Sequence, residues 1–321
     1  MSIKEITTKD LNPSKFIEEK AQEISQSVKD GVAINALSGG VDSSAVTMIG
    51  HKALGSRLKT YFIDNGIMRQ DEPQSIVDLF KKQGVNVELI DAKDEFFEAL
   101  KGITDPEEKR EAITQTFYKN VFGRLVKESG AKFLLQGTIL TDVDETIAGI
   151  KRQHNVFEQL GIDPQAVFGY KILEPLVQIR KDGVRKVAEA LGLPDSIHKR
   201  MPFPGPALSA RVIGEATPER IKIVRLATAI TEEELKGVNV FQYLAILHED
   251  RVTGMRDNKR DFGLQIEIRC WESVDARVAT PCELPYKTLT KLAKRITTEV
   301  PGVVSVTYNI TPKPPSTIEA V

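Results

Sequence analysis

Cysteine, tryptophan and net charge are all scarce in this chain of 321 residues, which has two cysteines, one tryptophan and a formal net charge of -1. Cys270 and Cys282 are twelve positions apart without a second pair, which argues against a zinc site, a CxxC redox motif and a disulfide framework. The charge balance lacks the basic surplus of a dedicated nucleic-acid-binding protein. We therefore expect a reducing compartment and no nucleic-acid partner.

Long apolar runs are absent as well. No stretch approaches the roughly 20 apolar residues of a transmembrane helix, and the amino-terminal segment MSIKEITTKDLNPSKF has no apolar signal region. We expect a soluble, cytoplasmic protein without a membrane segment. Neither GxxxxGKS/T nor GxGxxG occurs, so Walker-type and dinucleotide-binding phosphate loops are excluded.

The length favours two domains. In residues 1–200, short apolar strands alternate with amphipathic helices, a pattern typical of an α/β fold with a parallel sheet covered on both faces. The predicted strands are 31–37, 59–64, 85–90, 132–136 and 171–176, and the predicted helices are 14–29, 43–54, 71–83, 106–129 and 181–191. The polar stretch AGIKRQHNVFEQLGIDPQAV fits no element, and its length favours a mobile lid.

A proline-rich segment, RMPFPGP (residues 200–206), interrupts regular structure and predicts the boundary between a domain of residues 1–200 and one of residues 201–321. After it the pattern changes to a smaller α+β domain with antiparallel pairing. The predicted helices there are 218–229 and 286–298, and the predicted strands are 241–246, 264–270 and 303–310.

The segment SGGVDSS (residues 38–44) lies between a buried strand and a helix, and it carries the strongest functional signal. A glycine pair lets the backbone turn sharply, so that several N–H groups and the helix amino terminus converge on one anion. Serine hydroxyls can donate to phosphate oxygens, and the Asp42 carboxylate suits magnesium. The alternative is a tight turn with Ser43 as a capping residue and no chemistry.

SGGVDSS is similar to the pyrophosphatase loop of the N-type ATP pyrophosphatases, the family that includes the GMP, NAD and argininosuccinate synthetases. Further motifs resemble the ATP pyrophosphatase part of the GMP synthetases, and they run in order to the end of the chain. These motifs are FIDNGIMR (62–69), QGT (136–138), IKRQHN (150–155), LEPL (173–176), RMPFPGPAL (200–208), ARVIGEATPE (210–219) and KPPSTIE (313–319). One departure is Ala207, where that family has glycine.

The resemblance implies an adenine nucleotide α-hydrolase-like domain followed by a dimerisation and substrate-nucleotide-binding domain. It implies that ATP, with Mg²⁺, adenylates the O2 of xanthosine monophosphate and that ammonia then displaces AMP to give GMP. The two products released beside GMP would be AMP and pyrophosphate.

The resemblance also implies roles for individual residues. Asp42, Ser43 and the lid residue Lys151 would be catalytic, and Asp42 would lie near the metal. ATP would be bound by Ser38, Gly39, Gly40, Val41, Asp42, Ser43, Ser44, Ile63 and Gly137. Xanthosine monophosphate would meet Arg211, Lys313, Thr317 and Glu319. The alternative for Lys151 is a solvated charge, and for Lys313 an ordinary tail lysine.

The short segment before the loop and the setting of the two cysteines bear on the source of ammonia. About thirty residues stand before its strand, and neither cysteine lies in a GxC-type setting, so we expect no glutamine hydrolysis by this chain. The chain resembles the separate ATP pyrophosphatase subunit of a two-chain enzyme. That resemblance implies a homodimer and a partner amidotransferase subunit.

Two other functions fit the same loop. A related N-type ATP pyrophosphatase could amidate or thiolate another nucleotide or tRNA, although thiolation usually needs cysteines close to the loop. A non-catalytic sensor could bind ATP without releasing pyrophosphate. Product analysis separates the first alternative from xanthosine monophosphate amination, and pyrophosphate release separates the second.

Overall fold

The computed structural model describes residues 3–147, 169–256, 258–274 and 276–320. The chain forms two compact units. The first unit comprises Met1–Asp64, Glu72–Asp91 and Phe117–Arg200, and the second comprises Asn65–Asp71, Ala92–Thr116 and Met201–Val321. Two segments that precede residue 200, 65–71 and 92–116, therefore belong to the second unit, whereas the sequence analysis placed them in the first domain.

A five-stranded parallel sheet forms the centre of the first unit, in the strand order β3-β2-β1-β4-β5. Its strands are β1 Ala33–Ala36, β2 Leu58–Asp64, β3 Val87–Asp91, β4 Phe133–Leu135 and β5 Lys171–Leu173. The predicted α/β class is thus confirmed. The central strands are buried apolar runs, as expected for a sheet with helices on both faces.

The helices of the first unit are amphipathic segments with identifiable starts. They are α1 Pro13–Val28, α2 Val41–Leu54, α3 Glu72–Lys82, α6 Gly123–Ser129, α7 Leu140–Ile147, α8 Lys181–Ala190 and α9 Asp195–His198. Helix α1 begins where the Asn12 side chain accepts a hydrogen bond from the Lys15 amide, with Pro13 at the first helical position. Its buried face includes Phe16, Ile24 and Val28, at helical spacing.

The strand order places β1 between β2 and β4, at the point where successive connections turn to opposite sides of the sheet. Ligands of open α/β sheets bind at such a point, outside the carboxyl ends of the strands. SGGVDSS follows β1 and Gly137 follows β4, so both segments lie at this edge.

The long helix predicted over residues 106–129 is interrupted. Helix α5, Pro106–Gln115, ends in a π-helical segment, Thr116–Phe122, before α6 begins. The division between the two units falls within that segment, between residues 116 and 117. Helix α4, Lys93–Leu100, was not predicted from the sequence.

A long hairpin forms the sheet of the second unit. Its strands are β6 Gln242–Arg256, β7 Lys259–Glu272, β8 Thr280–Pro281 and β9 Val303–Tyr308, and its main helices are α10 Pro218–Glu234 and α11 Tyr286–Glu299. The antiparallel pairs β6–β7 and β7–β8 agree with the predicted α+β class, whereas β9 runs parallel to β7. A Cβ atom at Gly254 or Gly263 would lie 2.6 Å from Val304, so the hairpin needs glycine there.

One short helical turn in the second unit, Ala207–Arg211, begins with a strained residue. Ala207 has φ of 52°, in the left-handed region that favours glycine. This explains the glycine that the resembling family has at this position. In this chain the buried Ala207 adopts the same conformation with a side chain.

Among the helices of the described residues, none is both long and apolar enough to cross a membrane.

A buried lysine of α5 ties that helix to the end of this turn. Lys109 is 1% exposed, and its Nζ donates to the carbonyl oxygen of Val212 at 2.8 Å. Burial, aided by the nearby Arg220 guanidinium, lowers the pKa of Lys109 from 10.5 to about 8, and Glu249 and Asp105 offset part of that effect.

We predict that this lysine makes stability depend on pH. Between pH 8 and 10.5 the unfolded chain binds a proton at Lys109 that the folded chain does not bind. The free energy of unfolding therefore rises with pH in this window. We would measure the free energy of unfolding by urea denaturation for the wild type and for Lys109→Met at pH 7.5, 9 and 10.5. The stability of the wild type relative to the variant should increase as pH rises. A pH-independent difference would contradict the prediction.

Candidate active site

The backbone of SGGVDSS turns directly from strand β1 into helix α2. Gly39 has φ of +76°, a conformation that residues with a Cβ atom rarely adopt. Gly40 occupies the N-cap position of α2 and has no side chain to satisfy the first amides of that helix. The N–H groups of the first turn of α2, which have no acceptor within the helix, and the positive end of the helix dipole therefore face the space beyond the carboxyl edge of the sheet.

Ser38 and Ser43, near the two ends of the loop, contact each other. Their hydroxyl oxygens are 2.9 Å apart, and the Ser43 hydroxyl also accepts from the Ser38 amide at 3.2 Å. Ser43 can instead donate to the Gly40 carbonyl at 3.1 Å. Each hydroxyl can exchange such a bond for one to a phosphate oxygen without a change in the backbone.

A chain of buried polar side chains fixes the position of the loop. Thr60 on β2 donates to Asn35 Oδ1 at 2.7 Å, and Asn35 Nδ2 donates to Thr47 Oγ1 at 2.6 Å. Thr47 on α2 then donates to the Ser43 carbonyl at 2.8 Å. All three side chains are at most 3% exposed, so each bond is protected from water.

Gly137 lies close to the same helix. A Cβ atom at Gly137 would lie 3.3 Å from the Asp42 Cβ and from the Ser43 amide nitrogen. This is tighter than ordinary van der Waals contact. The end of strand β4 and the first turn of α2 can therefore approach each other this closely without displacement because residue 137 lacks a side chain.

Asp42 and Lys181 form an ion pair at the loop. Lys181 Nζ, in the first turn of α8, is 2.6 Å from Asp42 Oδ2, and both side chains are partly exposed. Among the described residues, the buried Asp42 Oδ1 atom has no hydrogen-bond partner. Asp142 lies nearby, and burial raises its pKa, with the Asp42 charge adding to the rise. No sequence motif indicates Lys181, which is 139 positions from Asp42.

Arg200 fixes the backbone of the loop at Gly39. Its Nη1 donates to the Gly39 carbonyl at 2.9 Å, and its Nη2 donates to Glu72, whose side chain is 6% exposed. Because the Gly39 carbonyl points towards Arg200, the amide of Gly40 in the same peptide plane points the opposite way, into the loop. Arg200 belongs to the motif RMPFPGPAL, but nothing in the sequence indicates this contact.

The remaining ATP-site residues of the sequence analysis are placed as follows. Val41 and Ile63 are buried, with Ile63 next to the last residue of β2. Ser44 is fully buried, and its hydroxyl has no partner among the described residues. Lys151 and the stretch predicted as a lid lie outside the described residues.

The second unit brings together two residues predicted to meet the substrate nucleotide. Arg211, only 1% exposed, holds the Glu319 carboxylate with two N–H groups, Nε at 3.1 Å and Nη2 at 3.2 Å. Gln242 Nε2 also donates to Glu319, at 2.7 Å. Three such donors fix the orientation of the carboxylate.

An aromatic ring lies beside this pair. The guanidinium carbons of Arg69 and Arg211 are 4.1 and 4.8 Å from the centroid of the Phe203 ring, within range of a cation–π interaction. Arg69 also pairs with Glu232 at 3.0 Å. The motifs FIDNGIMR and RMPFPGPAL contain Arg69 and Phe203, but the sequence analysis assigned neither residue to the site.

The other two predicted contacts lie on the carboxyl-terminal segment. Lys313 Nζ donates to the Ala276 carbonyl at 2.8 Å, and its backbone pairs with Ala279. Thr317 Oγ1 donates to the Glu319 carbonyl at 2.6 Å. Lys313 therefore has a defined place rather than that of a free tail side chain.

We predict that Thr47→Val destabilises the first unit because it leaves Asn35 Nδ2 without an acceptor in the core. The expected loss in the free energy of unfolding is about 1–3 kcal/mol, measured by urea denaturation. Thr297→Val in α11 is a matched control, since Thr297 makes the same bond to a carbonyl four residues earlier. Equal losses in the two variants would mean that the Asn35 bond contributes nothing.

Comparison with known proteins agrees with both units. Residues 229–320 match the model of the GMP synthase C terminal domain, and residues 24–159 match the model of asparagine synthase. The chain is 48% identical over 309 residues to a subunit of the glutamine-hydrolyzing GMP synthase of Archaeoglobus fulgidus, covering 96% of this chain and 99% of the relative. The equivalent GMP synthase subunits of Methanopyrus kandleri and Pyrococcus furiosus are 45% and 47% identical, over 96% and 95% of this chain and 99% and 96% of theirs.

These matches span nearly the full length of this chain and of each relative, at identities well above those that indicate a common fold alone. The two family-model matches include Glu319 and the phosphate loop, respectively. The chain therefore belongs to this family of glutamine-hydrolyzing GMP synthase subunits.

Proposed function

We propose that this chain aminates xanthosine monophosphate to GMP at the expense of ATP, through an adenylated intermediate, with release of AMP and pyrophosphate. The observation that carries the proposal is the near-full-length identity to the GMP synthase relatives, in a chain whose SGGVDSS loop lies at the reversal of strand order. Adenylation makes the oxygen at C2 of the purine a good leaving group, which ammonia then displaces.

The phosphate loop would bind the departing pyrophosphate. Gly39, Gly40, Asp42, Ser43 and Ser44 surround the amino terminus of α2, where amides and the helix dipole favour negative charge. Lys181 adds a positive charge within reach of the same space. Such fixed donors stabilise charge that develops on a leaving group, so the loop would act by positioning and electrostatics. Ile63 and Gly137 would border the adenosine.

The donor set at the loop fits Mg²⁺. Asp42 presents a buried oxygen that lacks a partner among the described residues, and Mg²⁺ binds through one or two carboxylates together with substrate phosphates. Asp42 would hold the ion. When bound, the ion neutralises phosphate charge.

Lys151, in the predicted lid, would also belong to the phosphate site and would close on the bound phosphates.

The cluster around Phe203 would bind xanthosine monophosphate. Glu319 can accept N–H groups of the purine edge, and Arg211 keeps that carboxylate oriented while it adds positive charge. Lys313 and Thr317 would meet the nucleotide from the carboxyl-terminal segment. We add Arg69, Phe203 and Gln242 to this site because each contacts the Arg211–Glu319 pair or its aromatic neighbour.

Ammonia would come from a separate glutamine amidotransferase subunit. The two cysteines of this chain have a raised pKa because burial disfavours the thiolate, and that of Cys270 is about 12. A nucleophilic cysteine needs the opposite shift. We further propose that residues 201–321 form a homodimer in the cytoplasm.

The reaction can be tested with ATP, Mg²⁺, xanthosine monophosphate and ammonium chloride at alkaline pH. We expect GMP, AMP and pyrophosphate in equal amounts, and a kcat at least about 100-fold lower in Asp42→Ala, because the variant loses the carboxylate that would hold Mg²⁺ beside the leaving pyrophosphate. Asp30→Ala, at an exposed aspartate, should keep full activity. Pyrophosphate release without GMP would point to another nucleotide or tRNA, and ATP binding without pyrophosphate release would point to a sensor.

The oligomeric state is tested separately. Sedimentation velocity at micromolar concentration should give a dimer for the wild-type chain. A monomer under the conditions in which GMP is formed would refute the homodimer.

A further inference from the structure

The carboxyl-terminal segment, residues 313–319, begins where the Lys313 backbone pairs with Ala279, and side chains of strand β7 contact the backbone carbonyls of residues 317–319. Arg269 Nη1 lies within hydrogen-bond distance of three successive carbonyl oxygens, those of Thr317, Ile318 and Glu319, at 2.8, 3.4 and 3.2 Å. Trp271 Nε1 donates to the Ile318 carbonyl at 3.3 Å. One largely buried guanidinium thus contacts three successive carbonyl oxygens of this segment.

Arg269 is itself held in place. Its Nε donates to Glu267 Oε1 at 2.6 Å, and the other oxygen of that carboxylate is 2.8 Å from His248 Nε2. Burial favours the neutral acid at Glu267, but hydrogen bonds from His248 and Arg269 outweigh it and lower the pKa of Glu267. The side chains of Arg269 and Glu267 are 11% and 12% exposed. The guanidinium therefore has a defined orientation before the segment docks.

The side chain of Ile318 anchors the segment on the same sheet. It is 8% exposed and packs in a cluster with Leu244, Ile246, Trp271 and Ala279. Arg269 fixes the backbone around this anchor, and the next residue is Glu319, whose carboxylate meets Arg211 and Gln242. The position of Glu319 thus depends on a residue that does not contact its carboxylate.

We propose that Arg269 is a positioning residue for the substrate nucleotide: held by Glu267 and His248, it orders the end of this segment, residues 317–319, so that Thr317 and Glu319 are presented together beside Lys313. This inference rests on the function proposed above. If the nucleotide binds only when the segment is docked, its apparent affinity falls in proportion to the fraction of molecules in which the segment is docked. If the segment is docked one tenth of the time, the apparent dissociation constant rises about tenfold.

The loss of Arg269 should raise the KM for xanthosine monophosphate and leave the KM for ATP nearly unchanged. The phosphate loop lies in the first unit and Arg269 in the second, so the loss of Arg269 leaves the groups proposed to bind ATP unchanged. Arg269→Gln removes the charge and the forked donors. Arg269→Lys keeps the charge, but a single ammonium cannot reach Glu267 and the three carbonyls with the geometry of a guanidinium. Arg260→Gln, at an exposed arginine of the same strand, is the matched control.

The experiment compares these variants by steady-state kinetics with ammonium chloride and by hydrogen exchange of residues 313–320 without nucleotide. For Arg269→Gln we expect a KM for xanthosine monophosphate at least tenfold higher, a kcat within about threefold and a KM for ATP within about twofold of the wild type. Exchange in the segment should be at least tenfold faster. Arg269→Lys should lie between, and Arg260→Gln should match the wild type.

Two results would overturn the inference. One is exchange in residues 313–320 that does not change in Arg269→Gln. The other is an equal rise in both KM values with a fall in kcat, which is the pattern of general damage to the fold. If Arg269→Gln does not fold cooperatively, Glu267→Gln takes its place, with the same expected direction.

Failure of the proposed function is recognised separately. A wild-type chain that forms no GMP refutes that function, whereas hydrogen exchange in the same proteins still shows whether Arg269 orders the segment. Faster exchange in Arg269→Gln would then support the ordering role, and unchanged exchange would refute it.

Discussion

The phosphate site depends on one buried side chain, Asn35, at the centre of the parallel sheet. Its amide joins β2 to β1 through Thr60 and β1 to α2 through Thr47, so the strand and helix that flank SGGVDSS cannot move independently. A polar residue at 1% exposure is tolerated because both ends of its amide are bonded. The buried network thus holds the loop so that the first amides of α2 face the site where an anion would bind.

Buried or half-buried arginines and lysines organise the rest of both sites, and each is oriented by a carboxylate before any ligand arrives. Arg200 is held by Glu72 and fixes the Gly39 peptide, while Lys181 is held by Asp42. In the second unit, Glu267 orients Arg269, and Arg211 in turn orients Glu319. Preorganised charges of this kind lose little side-chain entropy on binding, which is the physical advantage of pairing them in the free protein.

Much of the first unit could be predicted from local pattern. The buried run before SGGVDSS, the glycine pair and the helix that follows form a strand, loop and helix whose neighbours in sequence are also neighbours in space. Helix α4 was missed because only Phe96 and Leu100 are buried on its eight residues, and that leaves a weak periodic signal. The full length of the β6–β7 hairpin was missed because its outer part, residues 251–264, is largely exposed and carries mixed charges instead of an apolar alternation.

The sequence by itself determined the α/β class, the phosphate loop and the motifs through which the chain resembles its family, because each depends on residues that are adjacent or regularly spaced. Only the tertiary structure decided that Lys181 and Arg200 serve that loop, that Phe203 and Gln242 adjoin Arg211 and Glu319, and that residues 65–71 and 92–116 belong to the second unit. The contacts of Lys181, Arg200 and Gln242 join residues 77 to 161 positions apart, and the assignment of the two segments follows from the packing of whole segments. No local pattern encodes them, since any basic side chain on the correct face of a distant element would satisfy the same hydrogen bonds.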